Sequence, residues 1–387
     1  PKPYDPGLSV DYATQVSAGV GTSTAAGTVV GGGVALFWSD MLGGHNLLTV
    51  VQAEGTSDTI GRNLAAIVNY ENREQRLRWG AAVGQVPSVS VGYVPPTDNG
   101  DGTFSQFLVR EWQINREVAG RLAYPLTRAD RIEGSFGYRH ISYVSDAVEE
   151  VYANNGQFIG SRVIDLPSAP SVEMFPAGVA YVHDTSVFGG TAPAAGRRYR
   201  LEVGAVAGDV DFYTPLLDFR QYYLPFQYLT LGGRVMHYGR YGRDAEDPRI
   251  GDIFLGSWTL VRGYDYYSFS LAECGGGTDC PVFDQLFGSR VALASAEARV
   301  PIFGARGIVP TPSVPPIDIA AFYDAGVAWT RDENPSFLGG TREAVRSYGA
   351  SIRVNFFGAL VLQWNYVNPI DRPLQDWYWQ FLIAPGF

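Results

Sequence analysis

The sequence lacks long apolar runs. A membrane-spanning helix needs about 18 or more consecutive apolar residues, and no segment of this 387-residue chain approaches that length. Helical membrane spans are therefore excluded.

Positive charge is also scarce. The formal net charge is −10, the only lysine is Lys2, and no basic run occurs. Proteins that bind nucleic acid neutralise phosphates with clustered basic residues, so we expect no nucleic-acid partner. The use of arginine as almost the only cation suits ion pairs inside a water-filled lumen, but genome composition explains it equally well.

Motifs for catalysis and metal binding are absent. The chain has 4 histidines and contains no HExxH, GxSxG or phosphate-loop pattern. His183 beside Asp184 could begin an acid–base pair, although an exposed histidine at a strand end is the commoner explanation. We therefore expect no enzyme activity, no catalytic residue, no metal and no cofactor.

Glycine and aromatic residues are abundant, with 46 Gly, 23 Tyr, 21 Phe and 8 Trp. Apolar and polar residues alternate over segments of about ten residues: Ile319 and Tyr323 share one parity, whereas Asp318, Phe322 and Asp324 share the other. Such alternation between turn signals is typical of transmembrane β-barrels. About sixteen segments recur, centred near residues 14, 33, 50, 67, 84, 113, 137, 180, 202, 218, 233, 293, 323, 352, 363 and 382.

The pattern predicts an all-β fold: a single transmembrane antiparallel β-barrel of about sixteen strands over residues 8–387, after a linker of residues 1–7. A soluble propeller or sandwich also alternates, but aromatic residues near segment ends favour the girdles of an outer-membrane barrel. The opening PKPYDPG resembles a linker and not a signal peptide, so the chain looks mature or cut from something longer.

The predicted connections fall into two classes, short and long. The short ones include residues 72–75, 127–130 and 357–358, and the long ones include 95–103, 142–173, 239–285 and 331–342. Since outer-membrane barrels have short periplasmic turns and long outer loops, we expect both termini to be periplasmic, with 303–316 as an unusually long periplasmic connection.

The longest late connection contains Val261, Arg262, Gly263, Tyr264 and Asp265, or VRGYD. This motif resembles the VRGF/Y signature of the BamA/TamA outer-membrane insertase and translocase superfamily, whose barrels are of the bacterial surface antigen type. Five predicted strands follow it, as they should in a sixteen-stranded member.

The resemblance implies that the loop folds into the lumen and that Arg262 contacts acidic groups on the next strands. Residues 296–301 match the AExRxP-like element, and Glu297 is its acidic member; residues 322–326 match FxDxG, with Phe322, Asp324 and Gly326 on one face. A buried arginine needs compensating carboxylates. A solvated loop arginine is the alternative, and the apolar–polar alternation of the segment that carries Glu297 is less regular than that of its neighbours.

Both cysteines, Cys274 and Cys280, lie in the same loop, in CGGGTDC. Three glycines among the five intervening residues make a small ring easy to close, and an even cysteine count fits an oxidising compartment. We predict a disulfide here, because the spacing suits neither a zinc site nor a redox motif.

The last segment resembles the C-terminal targeting signal of outer-membrane barrels. Its aromatic parity includes Trp377, Trp379, Phe381 and the final Phe387, but Pro385 cannot donate a ladder hydrogen bond. The first strand is also weak, so we predict a poorly paired seam between first and last strands. In the superfamily that seam is the lateral gate; simple fraying of the chain ends is the alternative.

The expected function is insertion or translocation of proteins, or of lipids, at the outer membrane of a Gram-negative bacterium. The expected partners are outer-membrane lipid, client barrel or secreted proteins, and periplasmic modules or other subunits of a membrane complex. The alternative is a structural anchor or accessory subunit, plugged by its own loop and without insertase activity. The family's POTRA domains are not in this sequence.

Overall fold

The computed structural model describes residues 7–23, 27–56, 59–257, 259–270, 272–274, 280–304, 307–311, 313–356, 358 and 360–385. Within these ranges no helix has the length and apolar character needed to cross a membrane. Regular structure in the described residues is nearly all β.

The strands of the described residues, in chain order, are β1 (Ser9–Ser23), β2 (Gly27–Ser39), β3 (His45–Gly55), β4 (Ala65–Asn72), β5 (Arg78–Asp98), β6 (Thr103–Pro125), β7 (Asp130–Ala153), β8 (Phe158–Leu166), β9 (Val172–Asp184), β10 (Val187–Phe188), β11 (Pro193–Gly208), β12 (Phe212–Phe226), β13 (Leu229–Gly239), β14 (Ile253–Phe254), β15 (Phe287–Gly288), β16 (Arg290–Gly304), β17 (Val309–Pro310), β18 (Ile317–Trp329), β19 (Val345–Phe356), β20 (Leu360–Pro369) and β21 (Tyr378–Pro385). The helical segments are the α-helical turn α1 (Pro281–Asp284) and the 3₁₀ turns Pro248–Ile250, Tyr266–Ser268 and Ser336–Leu338.

Each of the sixteen predicted segment centres lies in a different strand. The strands without a predicted centre are β8, β10, β14, β15 and β17, and all of these except β8 are two residues long. The predicted all-β fold with about sixteen main strands is therefore confirmed.

Two predicted long connections are wrong. The chain between β5 and β6 turns within residues 99–102, and most of 142–173 is strand, because β7 continues to Ala153 and β8 pairs with it. The predicted segments are about ten residues long, which is roughly the length that a tilted strand needs to cross a bilayer. Strands of 21, 23 and 24 residues, such as β5, β6 and β7, extend well beyond that length, so their ends are mistaken for connections.

The chain forms two compact units. Unit 1 comprises the described residues of Pro1–Tyr124, Glu133–Gly178 and Val206–Val210; unit 2 comprises those of Pro125–Ile132, Val179–Ala205 and Asp211–Phe387. In unit 1, successive strands from β1 to β6 pair antiparallel, and β1 has two register shifts against β2.

Unit 1 contains a buried ion cluster. Asp146, on β7, accepts hydrogen bonds from Arg110 Nε at 2.7 Å and from Arg62 Nη1 at 2.8 Å. Both guanidiniums lie about 5 Å from the ring of the buried Trp112, and the indole Nε1 donates to Asn63 at 2.8 Å. The cluster ties the β3–β4 connection to β6 and β7.

In unit 2, antiparallel pairing runs in the order β12–β13–β16–β18–β19–β20–β21. The faces of β18 have the opposite polarity from a soluble sheet: Asp318, Phe322 and Asp324 are buried, whereas Ile319 and Tyr323 are each 44% exposed. Strands that turn an apolar side to lipid and a polar side to the barrel interior have this pattern.

Candidate functional site: the VRGYD loop and its arginine clasps

Residues 240–289, which connect β13 to β16, are called the VRGYD loop below. The loop packs on the strands of unit 2 through a hydrophobic cluster that includes the fully buried Leu255, Val261 and Leu286. Gly326 of β18 lies under this cluster, since a Cβ built there would be 2.6 Å from Val261 Cγ2. The last residue of the FxDxG element therefore provides room for the loop.

Arg262 forms what we call the inner clasp. Its Nε and Nη2 donate to the two carboxylate oxygens of Asp324 at 2.7 and 2.8 Å, and its backbone N–H donates to Asp324 Oδ2 at 3.3 Å. The guanidinium carbon lies 3.5 Å from the centre of the Phe322 ring. Asp324 is 1% exposed, so this bidentate pair is removed from water and fixes the orientation of the arginine.

Glu297, on β16, lies at the centre of a wider charge network. Arg353 Nη1 and Nη2 donate to its two oxygens at 2.7 and 2.6 Å, and Arg262 and Arg299 each approach it at 3.5 Å. The side chain of Glu297 thus points to the same face as Asp324. Sequence reasoning missed Arg353 as a partner, although its place on the polar parity of β19 was a usable signal.

Three further residues of the motif contact later parts of the chain. Gly263 adopts φ +92°, and a Cβ there would be 3.0 Å from Val367 Cγ2, so both conformation and space favour glycine. The Tyr264 hydroxyl donates to Arg346 O at 2.8 Å. Asp265 accepts a hydrogen bond from Gln380 of β21. The motif therefore bridges β16, β18, β19 and β21.

Burial shifts the titration of the loop groups. Desolvation raises the pKa of Asp265 against the opposing effects of Gln380 and Arg372, and it also raises the pKa of Tyr264. For Arg262, desolvation favours the neutral form, but the hydrogen bonds and charges of Asp324 and Glu297 outweigh it and leave the pKa raised. The guanidinium of Arg262 therefore stays charged within the inner clasp.

The predicted disulfide is confirmed. Cys274 and Cys280 are bonded, with a Cα–Cα distance of 4.3 Å. The bond closes a ring within the VRGYD loop, directly after Glu273.

The C-terminal aromatic residues lie on the exposed side of unit 2. Trp379 and Phe381 are 60% and 54% exposed, and Trp377 precedes β21 and stacks on Tyr366. The backbone of Pro385 pairs with that of Leu360. Phe387 lies outside the described residues, and both the targeting role and the predicted seam stay predictions.

The candidate acid–base histidine has a different partner from the one expected. His183 Nδ1 lies 2.7 Å from Asp130 Oδ1, and its ring stacks on Tyr199. Within the described part of the chain, no group of three or more His, Cys, Asp or Glu residues is placed to hold a metal ion.

A cavity of about 250 Å³ lies beside the inner clasp, and its charged lining residues are Arg220, Arg234, Arg262, Glu297, Arg299 and Arg353. These arginines share a small number of carboxylates: Asp218, for example, accepts from both Arg220 and Arg234. The arrangement holds the loop by charge pairing.

The family model described as the Omp85 superfamily domain matches residues 115–381. No curated protein matches the chain by sequence.

Among solved structures, BamA from Haemophilus ducreyi lacking POTRA domains 1-3 is similar, with a TM-score of 0.58 and 13% identity; the match covers 99% of this chain and 70% of that one. CdiB from Acinetobacter baumannii gives 0.53 and 12%, covering 97% and 60%, and CdiB from Escherichia coli gives 0.54 and 12%, covering 96% and 62%. This chain thus spans less than two thirds of either CdiB chain. At these identities the similarity shows a shared fold, the β-barrel.

Proposed function

The chain belongs to the Omp85 superfamily, and from this premise we propose that it is the barrel of a protein that assists insertion or translocation of proteins, or of lipids, at the outer membrane. We propose further that it acts without nucleotide, metal or enzymatic chemistry. Its partners would be membrane lipid, unfolded client proteins, and periplasmic modules or other subunits of a complex.

The observation that supports this proposal best is the position of the VRGYD loop. Its motif contacts four strands of unit 2, and Asp324, the partner of Arg262, is almost fully buried. A passive pore needs no such internal fastening, whereas a barrel whose wall must open and reclose benefits from a loop that restores one arrangement of its last strands.

The orientation is part of the same proposal. In a barrel whose sixteen main strands run in antiparallel succession, both termini would lie at one end and the VRGYD loop at the other. We place the termini in the periplasm.

The test is an assembly assay. The chain is reconstituted into liposomes, and folding of an unfolded outer-membrane barrel client is followed with wild type, Asp324→Asn and, as a matched control, Asp332→Asn in the exposed part of the β18–β19 connection. We expect wild type and the control to accelerate folding over lipid alone, and Asp324→Asn to lose most of that acceleration.

Two results would count against the proposal. Wild-type liposomes no faster than lipid alone would favour the structural anchor, and a large steady conductance with the loop in place would favour a passive pore.

A further inference from the structure

A second arginine, on the last hairpin, also holds the VRGYD loop. Arg372 lies in the connection between β20 and β21, and its side chain is 0% exposed. We propose that Arg372 is a positioning residue that couples the last hairpin, β20–β21, to the VRGYD loop, so that β21 cannot move away without releasing the loop. This inference rests on the proposed function only for its biological purpose.

The guanidinium of Arg372 is fully hydrogen-bonded. Nε and Nη2 donate to the two oxygens of Glu273 at 2.9 and 3.0 Å, and Nη2 also donates to Ser268 O at 2.9 Å. Nη1 donates to Ser268 Oγ at 2.8 Å and to Gly263 O at 2.9 Å. An arginine side chain has five N–H donors, and here each has an acceptor.

Every one of those acceptors belongs to the VRGYD loop. The loop also supplies the ring of Phe269, whose centre lies 3.8 Å from the guanidinium carbon. We call this set, Arg372 with Gly263, Ser268, Phe269 and Glu273, the outer clasp. Separating the hairpin from the loop would either expose Arg372 and Glu273 to water or leave each of them buried without its ion partner. The separation is therefore costly in free energy, because a buried charge is unfavourable without a partner.

The two clasps hold adjacent residues of the motif. Arg262 reaches from the loop to β18, whereas the carbonyl of Gly263 accepts a hydrogen bond from the β20–β21 connection. Asp265 and Gln380 add a contact between the loop and β21 itself. The position of the loop on β18 and the position of the last hairpin are therefore coupled through one short stretch of backbone.

Glu273 is itself fixed from the loop side. One of its oxygens accepts from Ser270 N at 2.9 Å and from Ser270 Oγ at 3.1 Å, and the disulfide ring begins at the next residue. The acceptor set of the outer clasp is thus assembled within the loop, and the hairpin supplies the cation that completes it.

The test is amide hydrogen exchange on the full chain in detergent micelles, without a client. In Arg372→Lys the charge remains, but an ammonium cannot reproduce the forked geometry of a guanidinium. We expect exchange to rise roughly tenfold or more in both β21 and residues 261–273. The matched control is Arg243→Lys, whose side chain is 78% exposed, and it should leave both segments unchanged.

A second variant guards against misfolding. The double variant Arg372→Gln with Glu273→Gln removes both charges at once, so neither partner is left as an unpaired buried charge. It should raise the exchange rate in the same two segments. The inference is overturned if exchange in β21 matches wild type in either variant, or if the loop loosens while β21 does not.

This measurement is independent of the assembly assay. If the wild-type chain fails to accelerate client folding but the two segments loosen together, the proposed function is wrong and the coupling stands. If it accelerates folding but the segments respond separately, the coupling is wrong and the function stands.

Discussion

Each compact unit has a buried carboxylate whose arginine partner lies against an aromatic ring, but the pairing differs. In unit 2 one arginine, Arg262, lies between two carboxylates, Asp324 and Glu297. In unit 1 one carboxylate, Asp146, lies between Arg62 and Arg110.

The two clusters also differ in what they connect. The Asp146 cluster joins the short β3–β4 connection to β6 and β7, and the Arg62 side chain is 36% exposed, so it keeps much of its hydration. The inner clasp joins a long loop to a strand 62 residues further along the chain, and neither Arg262 nor Asp324 is more than 10% exposed. The first cluster therefore fastens a short connection, whereas the second fixes the position of a long loop.

The largest effect should come from Asp324→Asn. It leaves the Arg262 guanidinium buried, with Glu297 at 3.5 Å as its remaining ion partner. Breaking one partner of a buried pair costs roughly 3–5 kcal/mol, so the free energy of unfolding should fall by about that amount. Thermal unfolding in detergent measures it, and hydrogen exchange should locate the change in the VRGYD loop. An unaltered unfolding temperature would show that the inner clasp does not stabilise the fold.

Gly326→Ala should come next. The added methyl would lie 2.6 Å from Val261 Cγ2 and about 3.0 Å from Leu255 Cδ1, so the loop must shift. Overpacking of this kind costs roughly 1–3 kcal/mol. Gly233→Ala is the control, because a Cβ there meets no atom within 4 Å. Equal unfolding temperatures for the two variants would contradict the packing assigned to Gly326.

Asp146→Asn should have a smaller and more local effect. Arg62 can turn to solvent, whereas Arg110 loses its Asp146 partner. We expect faster exchange in β6 and β7 near Trp112 and no change in residues 261–273. A change in the VRGYD loop as large as that from Asp324→Asn would show that the two clusters do not act separately.

Mild acid should give the smallest effect, and at the outer clasp it can be assigned to one carboxylate. The hydrogen bonds of Arg372 hold the pKa of Glu273 below its ordinary 4.5. A lowered folded pKa contributes stability that is complete above the ordinary value and is lost as the pH falls through the folded value. Exchange of residues 263–273 should therefore be constant at neutral pH, after correction for intrinsic rates, and rise only below pH 4.5. In Glu273→Gln that rise should disappear.

Much of the inner clasp could be predicted from sequence. Arg262, Asp324 and Gly326 belong to short motifs with fixed spacing, and the period-two pattern of β18 already placed Phe322 and Asp324 on one face. Arg353 was on the polar face of its strand and could have been proposed as a partner of Glu297. The Asp146 cluster gave no such signal, because its members are common residues at unrelated spacings.

The outer clasp was beyond sequence reasoning for a similar reason. Arg372 is a single arginine in a turn, and nothing local distinguishes it from a solvated one. The length of β5, β6 and β7 was missed because the expected strand length came from the thickness of a bilayer, whereas antiparallel pairing continues wherever the backbone finds a partner.

The sequence by itself determined the all-β fold, the succession of sixteen main strands and the polarity of their faces, because a side-chain period of two is a local property of extended backbone. Only the tertiary structure decided which arginine meets which carboxylate. The two clasp pairs, Arg262 with Asp324 and Arg372 with Glu273, join residues 62 and 99 positions apart. Their free energy depends on shared burial, which no single segment encodes.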